Sequence, residues 1–223
     1  MGKGKKRSYS GYTKKTVENL LLDAGAFFRD FTYEEGGTSN DTFDSAVKAG
    51  KLIGATKGGG EFSAVAAIRQ IEVDGVKGRA KGLEVIDSWD VYLKATVLET
   101  TAESIRAALG AATVDTESDE GYDVITGNAA IGLEDYLDNV TWVGTLSGSS
   151  DPVIIQVFNG LNTEGLKLTV QNKNEATIPM TFYGHYTDDD LDSPPFKVLY
   201  PKKPQGGQAG EGGGGTVEGG AGA

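Results

Sequence analysis

Apolar and polar residues alternate with a period of two along most of the chain, the pattern of strands with one buried face. From Glu61 to Val73, Phe62, Ala64, Ala66 and Ile68 share one parity while Ile71 and Val73 fall on the other. The change of phase near Arg69–Gln70 predicts a bulge or bend. Asp74-Gly75 comes next, a hairpin signal because glycine takes the positive φ that such turns need. A longer run from Val85 to Leu98 puts Val85, Trp89, Val91, Leu93, Ala95 and Val97 on one face, with Ser88, Asp90, Lys94 and Thr96 on the other. A short flanking helix over about Thr101–Leu109 closes this unit. Thr100 as N-cap with Glu103 three residues on makes a capping box, and Gly110 ends the helix.

On the N-terminal side, Val17 to Phe31 reads as two short strands broken at Asp23-Ala-Gly25, with Leu20, Leu22, Phe27 and Phe31 directed to the core. Residues 33–60 read as a long polar loop ending in a flexible glycine run, Gly58–Gly60. Asp41 or Thr42 caps a helix of one or two turns through Phe43, Val47 and Ala49. So few apolar anchors predict a segment that is mobile in the free chain. On the C-terminal side, Thr113 to Asn128 reads as an acidic loop. Strands follow with Val140, Trp142 and Leu146; with Val153, Ile155 and Val157; with Leu166, Leu168 and Val170; and with Ile178, Met180 and Phe182. Turns fall at Gly148–Pro152 and Asn172–Glu175, and Pro179 points to an edge or a bulge. Pro194 to Pro201 supplies a closing strand. Evenly spaced short strands make the fold mainly β, a sandwich or barrel.

Length allows one substantial core, here residues 17–201, between a basic flexible arm (1–16) and a glycine-rich flexible tail (202–223). With no cysteine, disulfides and thiolate metal sites are excluded. No apolar run approaches the roughly 18–20 residues of a membrane helix, and the N-terminal charges are not followed by the apolar segment of a signal peptide. The chain carries −11, but Lys3, Lys5, Lys6, Arg7, Lys14 and Lys15 put +6 in the first fifteen residues, leaving −17 on the rest. An acidic body of that kind repels nucleic acid rather than gripping it.

Candidate chemistry is sparse. The glycines of Gly54–Gly60 lack the Lys and Ser/Thr of a phosphate loop. Asp115 to Asp119 begins like a calcium loop, but Glu120 stands where the glycine belongs. Those acids, and Asp188–Asp190 with Asp192, read as solvated turns. His185 is the only histidine, which excludes a second histidine ligand and argues against a triad, and it is placed on an alternating strand, packed or surface-exposed rather than catalytic. Asp87 and Asp90, three apart on a strand, fall on opposite faces rather than forming a hydrolytic pair. Trp89 and Trp142 lie on apolar parities and belong to the core rather than to a sugar-stacking platform. The expectation is a protein without catalytic residues, cofactor or metal.

The succession GATKGG, IEVDGVKG, KGLEVID and LETTAESIRAAL resembles the major tail protein (tail tube protein) of long-tailed, siphovirus-type bacteriophages. Asn19 to Ala26 (NLLLDAGA), Lys173 to Ala176, Phe182 to Tyr186 and Pro195 to Lys197 resemble it as well, so the likeness runs in order from Val17 to Pro201. It implies a structural virion protein whose hexameric rings stack into the tail tube, the conduit for DNA ejection. The implied partners are further copies of the chain, a tape measure protein, tail-end proteins and double-stranded DNA in transit. The implied location is the virion tail, assembled in the host bacterial cytoplasm. Barrels of about 16–18 strands already leave a water-filled channel, and a ring of subunits closes a wider one. On this footing Glu34, Glu35, Asp41, Phe43, Lys51 and Lys57 are inter-ring loop candidates, and Glu72, Glu84, Ser88, Asp90 and Thr96 are lumen-facing candidates. The alternatives are a surface adhesin or carbohydrate-binding β-module, and the tube protein of a contractile secretion system.

Overall fold

The alternating runs become strands in a computed structural model that describes residues 10–13 and 15–202. In chain order these are β1 (Leu21–Arg29), helix α1 (Phe43–Lys48), β2 (Thr56–Gln70), β3 (Glu84–Val97), helix α2 (Ala102–Leu109), β4 (Ala112–Asp115), β5 (Val124–Gly127), β6 (Leu137–Leu146), β7 (Val153–Asn162), β8 (Ile178–Tyr183) and β9 (Phe196–Leu199). The main sheet runs β1-β6-β7-β8-β3-β2, with β9 also on β7, and all its pairings are antiparallel. β7 carries β6 along one edge. On its other edge it pairs first with β9, through Ile154 to Val157, and then with β8, through Leu161 and Asn162. One strand thus belongs to two half-sheets, and the sheet curls until its terminal strands approach. Phe27 of β1 lies so close to Gly60 of β2 that a Cβ there would come within 2.3 Å of the ring. The fold is mainly β and sandwich- or barrel-like, as expected.

The concave side of this curl holds the larger core: Phe27, Val91, Leu93, Val97, Val140, Val157, Ile178, Met180 and Phe182, with Ala108 of α2. A second cluster, Phe28, Phe31, Ala46, Val143 and Ile154, lies on the opposite face under α1. β6 and β7 are therefore buried on both faces. A polar network links the two layers. The Gln156 side-chain amide donates to the Phe31 carbonyl (3.0 Å), and Asn139 accepts from the Phe31 N–H (3.0 Å) and from Thr141 Oγ1 (2.7 Å). All three polar side chains are buried.

Several expectations need correction. Leu20 and Leu22 are exposed, and only Phe27 and Phe31 of that group reach the core. β1 is one strand with an irregularity between Leu22 and Ala26, where Asp23 and Gly25 have positive φ, in place of two strands. The cap of α2 is Thr101, reciprocated by Ser104, one residue later than the Thr100–Glu103 pair; Gly110 does end the helix, at φ 79°. Helix α1 forms as expected, capped by Thr42, so the described residues hold two short α-helices. The acidic stretch 113–128 is a small hairpin, β4–β5, because Val114 and Ile125 pair across it. Leu166 to Val170 makes no strand beyond a single bridge from Thr169 to Thr177. Pro179 pairs with Thr96 of β3, in the part of β8 that β7 does not reach, which is the edge position its missing N–H requires. Most of the basic arm and all of the glycine-rich tail beyond residue 202 lie outside the described residues. Among those described, no helix is long and apolar enough to cross a membrane.

Candidate functional site

The β2–β3 ribbon is the most prominent surface feature. Cross-strand partners share a face, so its register assigns sides. Phe62, Ala64 and Ala66 oppose Leu93, Val91 and Trp89 on the core side; Glu61, Ser63, Val65 and Ala67 oppose Lys94, Tyr92, Asp90 and Ser88 on the other. Between Ala67 and Ile68 the pairing jumps from Ser88 to Ile86, so the extra residue is Asp87, on β3. This bulge lies near the expected phase change but on the partner strand. It moves Val85 off the Trp89 face and opposite Arg69. It also undoes the alternation that set Asp87 and Asp90 on opposite sides. Asp87 is instead engaged by Arg69 through two contacts, at 3.1 and 3.2 Å.

Beyond Ala66 and Trp89 the ribbon leaves the body. Val65, Ile68 and Ile86 are 59%, 62% and 53% exposed although they include both faces. The tip is longer than a two-residue turn. Val76 N–H donates to the Val73 carbonyl across Asp74-Gly75, and a second turn at Ala80–Leu83 lets Ile71 and Leu83 meet at 2.7 Å. The root is fixed by aromatics. Phe196 lies 5.4 Å from Trp89 and 5.7 Å from Phe62, and the Trp89 N–H donates to the Tyr186 hydroxyl at 3.1 Å. Trp89 is thus a structural anchor, as its parity implied, while the contributions of Phe196 and Tyr186 had no periodic signal to reveal them.

The lumen-facing candidates separate. Ser88, Asp90 and Thr96 share the outward strip of β3 with Tyr92 and Lys94. Lys94 sits 4.4 Å from the centre of the Tyr92 ring, whose hydroxyl donates to Glu61 at 2.7 Å. The strip is therefore mixed in charge rather than purely acidic. Glu84 pairs with Gln70, which by register is the opposite face, and Glu72 lies beyond the end of β2.

The inter-ring candidates are already engaged within the chain. Asp41 accepts from Lys51 at 2.6 Å and from the Thr32 N–H at 2.8 Å. Burial works to raise the Asp41 carboxyl, but Lys51, the Thr32 amide and Ser45 outweigh it and hold it below the usual carboxylate range. Glu35 pairs with Lys197 (3.3 Å) and Lys57 with Glu175 (2.9 Å), while Glu34 exchanges two main-chain hydrogen bonds with the Asn40 side chain, both 2.7 Å. Phe43 is half exposed and meets Phe28 edge-on. Residues 33–60 are consequently a folded segment rather than an unstructured loop. They contain α1 and a Leu52–Phe28 bridge, and their glycine run is already strand, with the extra residues of a bulge at Lys57–Gly59.

No family model matches the sequence, and no curated protein does either. The site must therefore be read from its own geometry.

Other candidates from the sequence resolve into structural roles. The Trp142 indole covers Gly25 and Gly144 so closely that a Cβ at either would fall within 2.3 Å of it, and it donates to the Ala24 carbonyl at 2.8 Å. His185 lies just past β8, not on a strand. Its Nδ1 is 2.9 Å from the Asn159 carbonyl oxygen, and its ring meets Tyr136 edge-on. Asp115 accepts from the Glu117 and Ser118 amides at 2.9 and 3.0 Å, and Asp119 from Gly121 at 2.7 Å, so these acids form turns.

Proposed function

We propose that this chain is a structural subunit that assembles into stacked hexameric rings, the tail tube of a long-tailed phage through which DNA passes. The observation that carries the reading is β2: fifteen residues long, hydrogen-bonded to β3 on one side, and without a strand on the other among the described residues. An open edge of that length is a template for another chain, and soluble monomers normally blunt or cover it. Here it continues into an apolar ribbon. The succession of motifs from Val17 to Pro201 points to the same role, and ring closure supplies the missing edge partner. On this reading Ser88, Asp90 and Thr96 belong to the channel wall. A wall that grips phosphates poorly suits rapid passage, since each phosphate contact releases counterions and must be broken again.

Negative-stain electron microscopy of the purified full-length protein tests this directly. Rings or tubes are expected; a strictly monomeric species by light scattering at high concentration, with no tubes in crowding salts, overturns the reading.

A further inference from the structure

Two surfaces of this chain have complementary chemistry, and no ion pair joins them among the described residues. The first is the tip of the β2–β3 arm. Its turns present Val73 and Val76, both exposed, with Glu72 and Asp74 on the incoming side and Lys77, Arg79 and Lys81 on the returning side, where no acid lies between Val76 and Gly82. None of those three cations makes an ion pair among the described residues. The second is a trough of about 600 Å³ between β1, the end of β6 and α1. Ala24, Ala26, Phe43, Val143 and Leu146 give it an apolar lining, and Asp23 and Asp151 give it a negative rim. These two acids likewise make no ion pair.

The arm does not fold back on its own body. From Val65 to Ile71 alone the paired ribbon extends about 20 Å, and residues on both of its faces are exposed along that length. We infer that the valine-bearing tip of one copy, with its basic turn at Lys77–Lys81, docks in the acidic-rimmed apolar trough of a second copy. The inference rests on the assembly reading above and names the contact that reading leaves open. Because tip and trough are different surfaces, the contact is head-to-tail. Each docked copy keeps one free tip or one free trough, so association continues until a ring closes or a filament grows. The apolar floor supplies salt-insensitive burial. The unpaired charges add orientation and a salt-dependent share, screened over about 8 Å at physiological ionic strength.

Sedimentation velocity of the full chain across concentration and salt tests the contact. Lys77→Glu, Arg79→Glu and Lys81→Glu together weaken self-association by about tenfold or more. Asp151→Lys with Asp23→Asn does the same, asparagine being chosen because it tolerates the left-handed backbone at position 23. All five positions are exposed, and unchanged thermal unfolding confirms that both variants fold. The decisive arm is an equimolar mixture of the two variants, which has one intact tip and one intact trough per pair. The remaining reversed tip and reversed trough are again opposite in charge, so the mixture regains the association that each variant alone loses.

A wild-type chain that stays monomeric at every concentration overturns both this contact and the tube reading. Wild-type rings or tubes that the tip-reversed variant forms with unchanged affinity overturn this contact alone. If removing residues 1–9 abolishes association while reversing the tip does not, the chain's basic N-terminus is the occupant and the inference is wrong.

Discussion

The α1 segment and the β2–β3 arm are both excursions from the same curled sheet, and their composition misleads about their fate. Residues 33–52 are polar and glycine-bearing, yet they fold back on the body. The arm carries Val65, Ile68, Ile71, Val73, Val85 and Ile86, yet it stands in solvent. The difference lies in what each segment finds within its own chain. The α1 segment returns to a prepared face. Ala46 is fully buried on Phe28 and Phe31, and Asp41, Thr32 and Lys51 satisfy one another's polar groups. Ala46, the partly covered Tyr33, Phe43 and Leu52, and a closed hydrogen-bond set suffice when the receiving surface already exists. The arm is a two-stranded ribbon beyond the last core residues, so neither face meets a layer of its own chain, and an isolated ribbon is marginal in water.

The sharpest way to break this contrast is to remove the receiving surface. Phe28→Ala takes a fully buried ring from beneath α1 and is expected to cost about 3–5 kcal/mol, measured by chemical denaturation. A loss under about 1 kcal/mol means that the segment does not rely on that face. Gly60→Ala acts at the crossing of β2 over Phe27. Its Cβ meets the Phe27 ring at 2.3 Å and the Lys94 carbonyl oxygen at 2.4 Å, so a loss of about 1–3 kcal/mol is expected from overpacking against backbone.

Asp41→Asn probes the polar lock and is expected to cost about 1–3 kcal/mol, because Lys51 and Thr32 lose a charged partner. The sign of its pH dependence follows from the depressed Asp41 carboxyl. The lock contributes fully above the ordinary aspartate value of about 3.9 and is lost as pH falls below that, through the lower folded-state value. Wild type and Asp41→Asn should therefore converge in thermal stability under acid titration below about pH 4. Parallel curves over that range would show that the Asp41 charge is not what holds the segment. Asp30 works in the opposite sense. Burial, then the neighbouring Asp138, raises its carboxyl, so its protonation on acidification favours the folded state.

The smallest expected effect is on the arm. Ile68→Ser with Ile86→Ser should change monomer stability by no more than about 0.5 kcal/mol, since both side chains are already in water. Their loss should register in assembly instead. A large drop in monomer stability would mean that the arm is folded onto the body in solution.

Much of the body was legible in the sequence because alternation reports burial on one face directly. Val91 to Val97 and Ile178 to Phe182 behave as their parity implies. Alternation fails where a residue is added. The bulge at Asp87 reverses Val85 without any local signal, because the register is set by the partner strand. Alternation also fails where both faces are covered, as in β6 and β7. There Asn139, Thr141 and Gln156 sit at positions that read as solvent-facing, and they are buried because the chain at Phe31, 108 positions before Asn139, covers and bonds them. Leu166, Leu168 and Val170 alternate well but have no neighbouring strand to pair with, and alternation alone does not supply one. The two threonines before α2 illustrate a smaller ambiguity. Thr100 and Thr101 both offer an N-cap, and Ser104 rather than Glu103 closes the box.

The sharing of β7 between half-sheets has a mechanical consequence. Load applied to the arm passes from β2 through β3 to β8, and among the described residues β8 joins the rest of the sheet through two residue pairs, Leu161 with Tyr183 and Asn162 with Phe182, with His185 just beyond it bonded to Phe158 and Asn159. Asn162 reinforces that seam like a rivet. Its side-chain amide donates to the Ala108 carbonyl at the end of α2, and its oxygen accepts from the Thr181 N–H at 3.3 Å. A subunit pulled by its arm is therefore expected to yield at this seam, parting into two halves before either half-sheet unravels.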